Sequence, residues 1–154
     1  ELQQAHPNLL VSRTFSKAYG LAGLRVGYLI ANTDVSDMLN RIRLPFNITI
    51  PSVEAAIAAL LDQAHVDKGL AANEIARDLL LNGLLKLGLK PIPSVTNFIT
   101  VDMGQDGLPL YEKLLEKGFI VRPLNGYHLP QHLRISVGLK HEIVAFLENL
   151  EAVL

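Results

Sequence analysis

Ser12-Arg13-Thr14-Phe15-Ser16-Lys17-Ala18-Tyr19-Gly20-Leu21-Ala22-Gly23-Leu24-Arg25-Val26-Gly27-Tyr28 sets the hydroxyls of Thr14 and Ser16 beside a lysine, with an arginine further on and glycines interspersed. Apolar runs flank it, and they predict one strand over 9–12 and another over 25–31. A polar, glycine-rich turn between two buried strands needs partners for its backbone amides, so it belongs at a sheet edge, where loops carry function. The donor set suits a phosphate monoester: arginine offers a planar fork for two oxygens, hydroxyls add short bonds, and glycines let backbone N–H groups approach. Lys17 is then the residue of interest. No G-x-x-x-x-G-K-[ST] is present, so it is not a P-loop lysine, and the alternative is covalent, because a lysine amine condenses with a carbonyl to a Schiff base. The same residues can be read as solvated loop charges, and local chemistry leaves both readings open.

Composition narrows the class. The 154 residues are 49% hydrophobic, enough for a core in one ordinary domain or two small ones. A net charge of −1, with both signs mixed along the chain, argues against nucleic acid or an anionic membrane surface as partner. Cysteine is absent, which excludes disulfides and thiolate chemistry. No apolar run reaches the length of a membrane span and no signal peptide is visible, so a cytoplasmic location is expected.

Taken along the chain, His6-Pro7-Asn8 is a turn ahead of the first strand. Asn32-Thr33-Asp34 supplies a helix cap, after which Val35, Met38, Leu39 and Ile42 recur at helical spacing. Pro45 and Pro51 break that pattern over 44–51, because two prolines cannot sit inside one helix. Pro51 and Ser52 open a second helix that runs to 61. A third is predicted over 66–87, with Leu70, Ile75, Leu79, Leu80, Leu84 and Leu87 as its apolar stripe, Glu74, Arg77, Asp78 and Lys86 toward water, and Gly88 as its C-cap. Residues 90–94 are extended by their prolines and 97–102 alternate like a strand. A helix over 108–117, a strand over 119–123, a loop over 124–131, a strand over 133–137 and an amphipathic helix over 141–154 complete the order. It fits antiparallel strands covered by helices on one face.

Within that last part Arg134 interrupts the apolar strand Leu133-Arg134-Ile135-Ser136-Val137, where an unpaired charge would cost several kcal/mol. It must meet an anion, either a structural carboxylate or a ligand. His6, His65, His128, His132 and His141 share no metal-ligand spacing, so no metal site is expected and solvated or capping roles are assigned to them. Tyr127 and Tyr19 are read as a surface aromatic and a packing residue, and Phe15 as a wedge that seats the loop in the core.

The stretch 12–28 resembles the cofactor-lysine signature of fold-type I aminotransferases, and among them most closely histidinol-phosphate aminotransferases. The resemblance continues through Leu44-Pro45-Phe46-Asn47, Thr96-Asn97-Phe98, Ile120-Val121-Arg122-Pro123 and Leu133-Arg134-Ile135-Ser136-Val137-Gly138. It implies an α/β fold, the C-terminal part of a pyridoxal 5'-phosphate-dependent enzyme: the end of the large-domain sheet over 1–63, then a small α+β domain over 64–154. It implies that Lys17 carries the Schiff base, that Arg25, Ser16 and Thr14 bind the cofactor phosphate, and that Arg122 and Arg134 grip the substrate phosphate with help from Asn97. Residues 44–51 would lie beside the active site and a homodimer interface. The implied reaction is transamination of L-histidinol phosphate with 2-oxoglutarate. Family members are more than twice as long, and Glu1-Leu2-Gln3-Gln4 has no initiator methionine, so the chain is expected to be a fragment that is inactive alone. Rivals of the same fold are aromatic amino-acid aminotransferases and threonine-phosphate decarboxylases; an isolated dimerisation or regulatory module is the non-enzymatic alternative.

Overall fold

A computed structural model describes residues 2–154 and divides the chain, inside one long helix, into two units, Glu1–Gly69 and Leu70–Leu154. The first unit begins with a short helix α1 (Leu2–Ala5), followed by strands β1 (Val11–Thr14) and β2 (Gly27–Ile30). These pair antiparallel, from Val11 opposite Ile30 to Thr14 opposite Gly27. Both strands differ from the sequence expectation. β1 starts later and runs into the signature itself, because Phe15 N–H still donates to the Val26 carbonyl, and β2 starts at Gly27, because Arg25 takes a left-handed conformation that ends the ladder. Nor are they buried: Tyr28, Leu29 and Ile30 are nearly half exposed, since a two-stranded ribbon has two faces and little else in this unit covers them.

Helix α2 (Thr33–Ile42) starts where its cap predicts, with the Asn32 side-chain oxygen accepting from Val35 N–H at 2.8 Å. Residues 44–49 leave the helix, as the prolines require. Helix α3 (Ile50–Leu61) begins one residue before the expected proline, capped by Thr49. Helix α4 (Gln63–Lys86) starts three residues before the expected 66 and carries the chain from the first unit into the second.

In the second unit β3 (Lys90–Pro91), β4 (Phe98–Asp102), β5 (Arg122–Leu124) and β6 (Leu129–Ser136) form an antiparallel sheet in the order β3-β4-β6-β5. Helix α5 (Gly107–Glu116) is capped by Asp106, and helix α6 (Lys140–Glu151) closes the unit. One face of the sheet supplies Ile99, Val101, Leu133 and Ile135, which pack with Leu80 and Leu84 of α4, Leu110 and Leu114 of α5, and Ile143, Phe146 and Leu150 of α6. Helices thus cover one face of an antiparallel sheet, as the element order predicts.

Three expectations for this unit need correction. The buried part of the apolar stripe of α4 is Ala76, Leu80 and Leu84, four residues apart, with Leu79 and Leu87 packed against the same core as predicted, while Leu70 and Ile75 are exposed. Arg77 does not point freely to water: its side chain is 16% exposed and its Nη2 lies 3.5 Å from Asp78 Oδ1 and 3.8 Å from Glu74 Oε1. The strand predicted over 119–123 is shifted to β5, and the loop over 124–131 shrinks to a 3-10 turn, Asn125–Tyr127, because β6 begins at Leu129. Pro130 is accommodated because the ladder between β5 and β6 is irregular after Pro123.

Candidate functional site

Two groups of polar residues are assembled, one in each unit. In the first, Phe15 is buried against Tyr19 and Tyr28, with ring centroids 4.8 and 6.0 Å away, and it seats the signature loop as predicted. On either side of that wedge, Thr14 and Ser16 turn their hydroxyls together at 2.9 Å, and Ser16 N–H donates to Thr14 Oγ1 at 3.1 Å. Lys17 follows at the start of a turn closed by Gly20 N–H to the Lys17 carbonyl at 2.8 Å, with Gly20 at φ +70°. The lysine is exposed and forms no ion pair among the described residues.

Arg25 sits at the end of a 3-10 turn, Ala22–Leu24, at φ 53° and ψ 45°. An arginine in this region of backbone space costs about 1–2 kcal/mol and persists only where neighbours fix it. One of its five guanidinium N–H donors, on Nη1, bonds the Ala22 carbonyl at 2.7 Å, which orients the group and leaves donors over. Two residues on, a Cβ at Gly27 would stand 2.7 Å from the Arg13 carbonyl oxygen, so only glycine lets β2 close on β1 there. Thr14, Ser16 and Arg25 offer two hydroxyls and a planar cation, with an unpaired primary amine next to Ser16. That donor set can hold a phosphate monoester and present an amine to a carbonyl.

In the second unit Arg122 and Arg134 stand directly opposite each other on β5 and β6, and Thr100 is opposite Arg134 on β4. The alternation of a strand puts these residues on the sheet face that the helices do not cover. Each guanidinium lies over an aromatic ring: Arg134 is 5.1 Å from the Phe98 centroid and Arg122 5.8 Å from that of Tyr127. Arg122 Nη2 also donates to Tyr127 Oη at 3.4 Å. Neither arginine has a carboxylate partner among the described residues, so the structural ion pair that the sequence left open for Arg134 is not formed. Two like charges opposite each other with no carboxylate partner are a donor set that suits an anion of more than one charge.

Asn97 precedes β4, and its backbone carbonyl accepts from Val137 N–H at 2.9 Å. Its exposed side chain is not drawn into the arginine pair by any hydrogen bond among the described residues. Tyr127 is a surface aromatic, as expected from its loop between the two arginines, and it also contacts Arg122. One residue was not singled out by the sequence. Ser52, read only as a helix opener, is buried and bonds the Leu24 carbonyl beside Arg25, a link of 28 positions that no local pattern announces. Among the described residues no group of His, Asp or Glu is arranged to hold a metal, and no helix is long and apolar enough to cross a membrane.

The family described as aminotransferase class I and II matches residues 2–149. Histidinol-phosphate aminotransferase 1 of Nitrosococcus oceani is 48% identical over 149 residues, 97% of this chain and 40% of that protein. Histidinol-phosphate aminotransferase 2 of Pseudomonas fluorescens is 51% identical over 150 residues, with the same shares of each. The crystal structure of histidinol-phosphate aminotransferase from Sinorhizobium meliloti, in complex with pyridoxal-5'-phosphate, superposes with a TM-score of 0.87 at 34% identity, over 96% of this chain and 41% of that one. The chain therefore spans about two fifths of the length of the curated relatives it matches.

Proposed function

Since the chain belongs to the aminotransferase class I and II family, we propose that it is the C-terminal portion of a histidinol-phosphate aminotransferase that uses pyridoxal 5'-phosphate. The observation that carries the substrate class is the facing pair Arg122 and Arg134 with no carboxylate partner among the described residues. A carboxylate substrate needs one guanidinium fork, whereas a phosphate dianion uses two.

The donor set of the first unit fits the cofactor. Arg25 with the Ser16 and Thr14 hydroxyls holds the phosphate, and Lys17 Nζ meets the aldehyde. When bound, the cofactor supplies the electron sink that makes a proton on the substrate Cα removable. Lys17 Nζ would be the general base that takes that proton. Arg122 and Arg134 hold the phosphate of the substrate, and Asn97 borders the same end. The reaction is L-histidinol phosphate plus 2-oxoglutarate giving imidazole-acetol phosphate plus glutamate, a step of histidine biosynthesis, carried out by a cytoplasmic homodimer. A threonine-phosphate decarboxylase would use the same two-arginine grip, and its product separates it.

The test uses the gene product at its full encoded length. Pyridoxal 5'-phosphate should give a visible absorption band that is lost in Lys17→Ala, and L-histidinol phosphate should bleach it far more effectively than phenylalanine, with imidazole-acetol phosphate as product. A band that survives in Lys17→Ala removes the role of that lysine. Equal bleaching by phenylalanine removes the phosphate substrate, and release of carbon dioxide from threonine phosphate replaces the reaction. The 154 residues by themselves are expected to show negligible turnover.

A further inference from the structure

Ser52 is 3% exposed and is the buried polar residue of its unit. Its hydroxyl has one hydrogen and two neighbours. Oγ donates to the Leu24 carbonyl at 2.8 Å and lies 2.9 Å from Thr49 Oγ1. With the Ser52 hydrogen committed to Leu24, Thr49 must be the donor to Ser52 Oγ, while Thr49 Oγ1 accepts from Ser52 N–H at 3.3 Å as the cap of α3. A short relay therefore runs from the N-cap of α3 through Ser52 to the carbonyl of Leu24.

That carbonyl belongs to the peptide that leads into Arg25, the residue at φ 53°. Left-handed backbone at a side chain with a Cβ is held by its surroundings, and three restraints meet here. Leu24 N–H donates to Leu21 at 3.1 Å, Arg25 Nη1 donates to Ala22, and Ser52 grips the peptide between them. The first two are local and move with the turn. The Ser52 bond alone among them ties the turn to a separate helix, and its burial makes it dry and directional. Released from it, the Leu24–Arg25 peptide is free to relax toward the commoner backbone region, which redirects the guanidinium.

We propose that Ser52 is a positioning residue for cofactor phosphate binding: it fixes the Leu24–Arg25 turn so that Arg25 presents its remaining donors to the phosphate. This rests on the reading of Arg25 as a phosphate ligand, and the test separates the two. Ser52 touches neither cofactor nor substrate in this scheme; it acts through Arg25.

The experiment compares Ser52→Ala, Arg25→Gln and the double variant in the gene product at its full encoded length. Affinities for pyridoxal 5'-phosphate and for pyridoxal, which lacks the phosphate, are measured by visible absorbance titration. Loss of one buried hydrogen bond should weaken pyridoxal 5'-phosphate binding by about tenfold in Ser52→Ala, and loss of the charged fork by about a hundredfold in Arg25→Gln. Pyridoxal affinity should stay within about twofold in both, and the double variant should be no weaker than Arg25→Gln, since two residues acting as one unit are not additive. Inorganic phosphate should compete with pyridoxal 5'-phosphate less well in Ser52→Ala than in the parent. An equal loss for both ligands, or losses that multiply in the double variant, would mean that Ser52 is only a packing residue. Unchanged affinity in Arg25→Gln would instead remove the role of Arg25 and with it the premise. Should Ser52→Ala not fold, Ser52→Cys keeps the shape with a weaker donor, and the same ratio of phosphorylated to unphosphorylated affinity decides.

Discussion

Residues 70–154 bury an inner sheet face under three helices, whereas residues 2–69 bury little more than Phe15, Val26 and Ala56, with Tyr19 and Leu21 leaning on them. The contrast is not one of composition, for both halves are rich in leucine, isoleucine and alanine. In the second unit those residues recur at the period of the element that carries them, so they meet: Leu80 and Leu84 from α4 close on Leu114, Leu133 and Leu150. In the first they point outward, and Ile42, Leu44, Phe46, Ile50 and Leu61 are each more than three quarters exposed. Within this chain Thr14, Ser16, Lys17 and Arg25 are placed by one aromatic wedge, one glycine contact and one buried hydroxyl, together with the backbone hydrogen bonds of their turn.

The largest effects should expose this difference in packing. Leu84→Ala removes a side chain with no solvent exposure from the middle of the core and should lower stability by about 2–5 kcal/mol in urea denaturation. Leu61→Ala, at a residue 83% exposed, should change it by less than about 0.5 kcal/mol in this chain. Comparable losses at the two positions would mean that the first unit is packed as tightly as the second.

Backbone crowding offers a finer comparison. A Cβ at Gly27 meets a backbone oxygen at 2.7 Å, and nothing there can yield without opening the β1–β2 ladder. At Gly83 the obstacle is the flexible end of Leu147, its Cδ2 at 2.8 Å with Cδ1 nearer still. Gly27→Ala should therefore cost about 1–3 kcal/mol, a cost of the order of overpacking in cores, and loosen the turn over residues 15–26. Gly83→Ala should cost less, because a helical alanine gains about 1 kcal/mol over glycine that offsets part of the clash. A larger loss at Gly83 than at Gly27, read from the same urea midpoints, would place the rigid contact in the second unit.

The same contrast governs what could be read in advance. Helices in both units were legible from caps and spacing, because Asn32 acts within three residues and the inner residues of α6 repeat on one face. The polar loop over 12–28 and Arg134 stand out in the sequence, since charges and hydroxyls in an apolar setting announce themselves, whereas Arg122 was singled out through the family resemblance. Strand limits were not. Arg25 ends the β1–β2 ladder by adopting φ 53°, a conformation that nothing in an arginine signals, and β5 falls on residues 122–124 because β6 extends back to Leu129 and offers its edge there. Phe119 and Val121 join the core without joining the ladder, so their apolar character serves packing and not strand pairing. Ser52 was invisible for a different reason: its meaning lies in a partner 28 positions away.

The smallest expected effect runs against ordinary intuition about a charge on a folded sheet and follows from the register. Arg122 faces Arg134 across β5 and β6, and like charges directly opposite destabilise an antiparallel pair. Stacking on Phe98 and Tyr127 and the bond to Tyr127 Oη draw each guanidinium toward its own aromatic ring, which reduces the repulsion without cancelling it. Arg122→Gln keeps a polar, hydrogen-bonding side chain, though a shorter one with fewer donors, while removing its charge. It should raise stability by a few tenths of a kcal/mol at low salt, and the gain should fade toward zero near 1 M salt, where the Debye length falls to about 3 Å. Affinity for inorganic phosphate, measured by calorimetry, should fall in the same variant. Stability and anion binding moving in opposite directions is the signature of a charge kept for a ligand. If both fall together, Arg122 is part of the scaffold and the anion belongs to Arg134 alone.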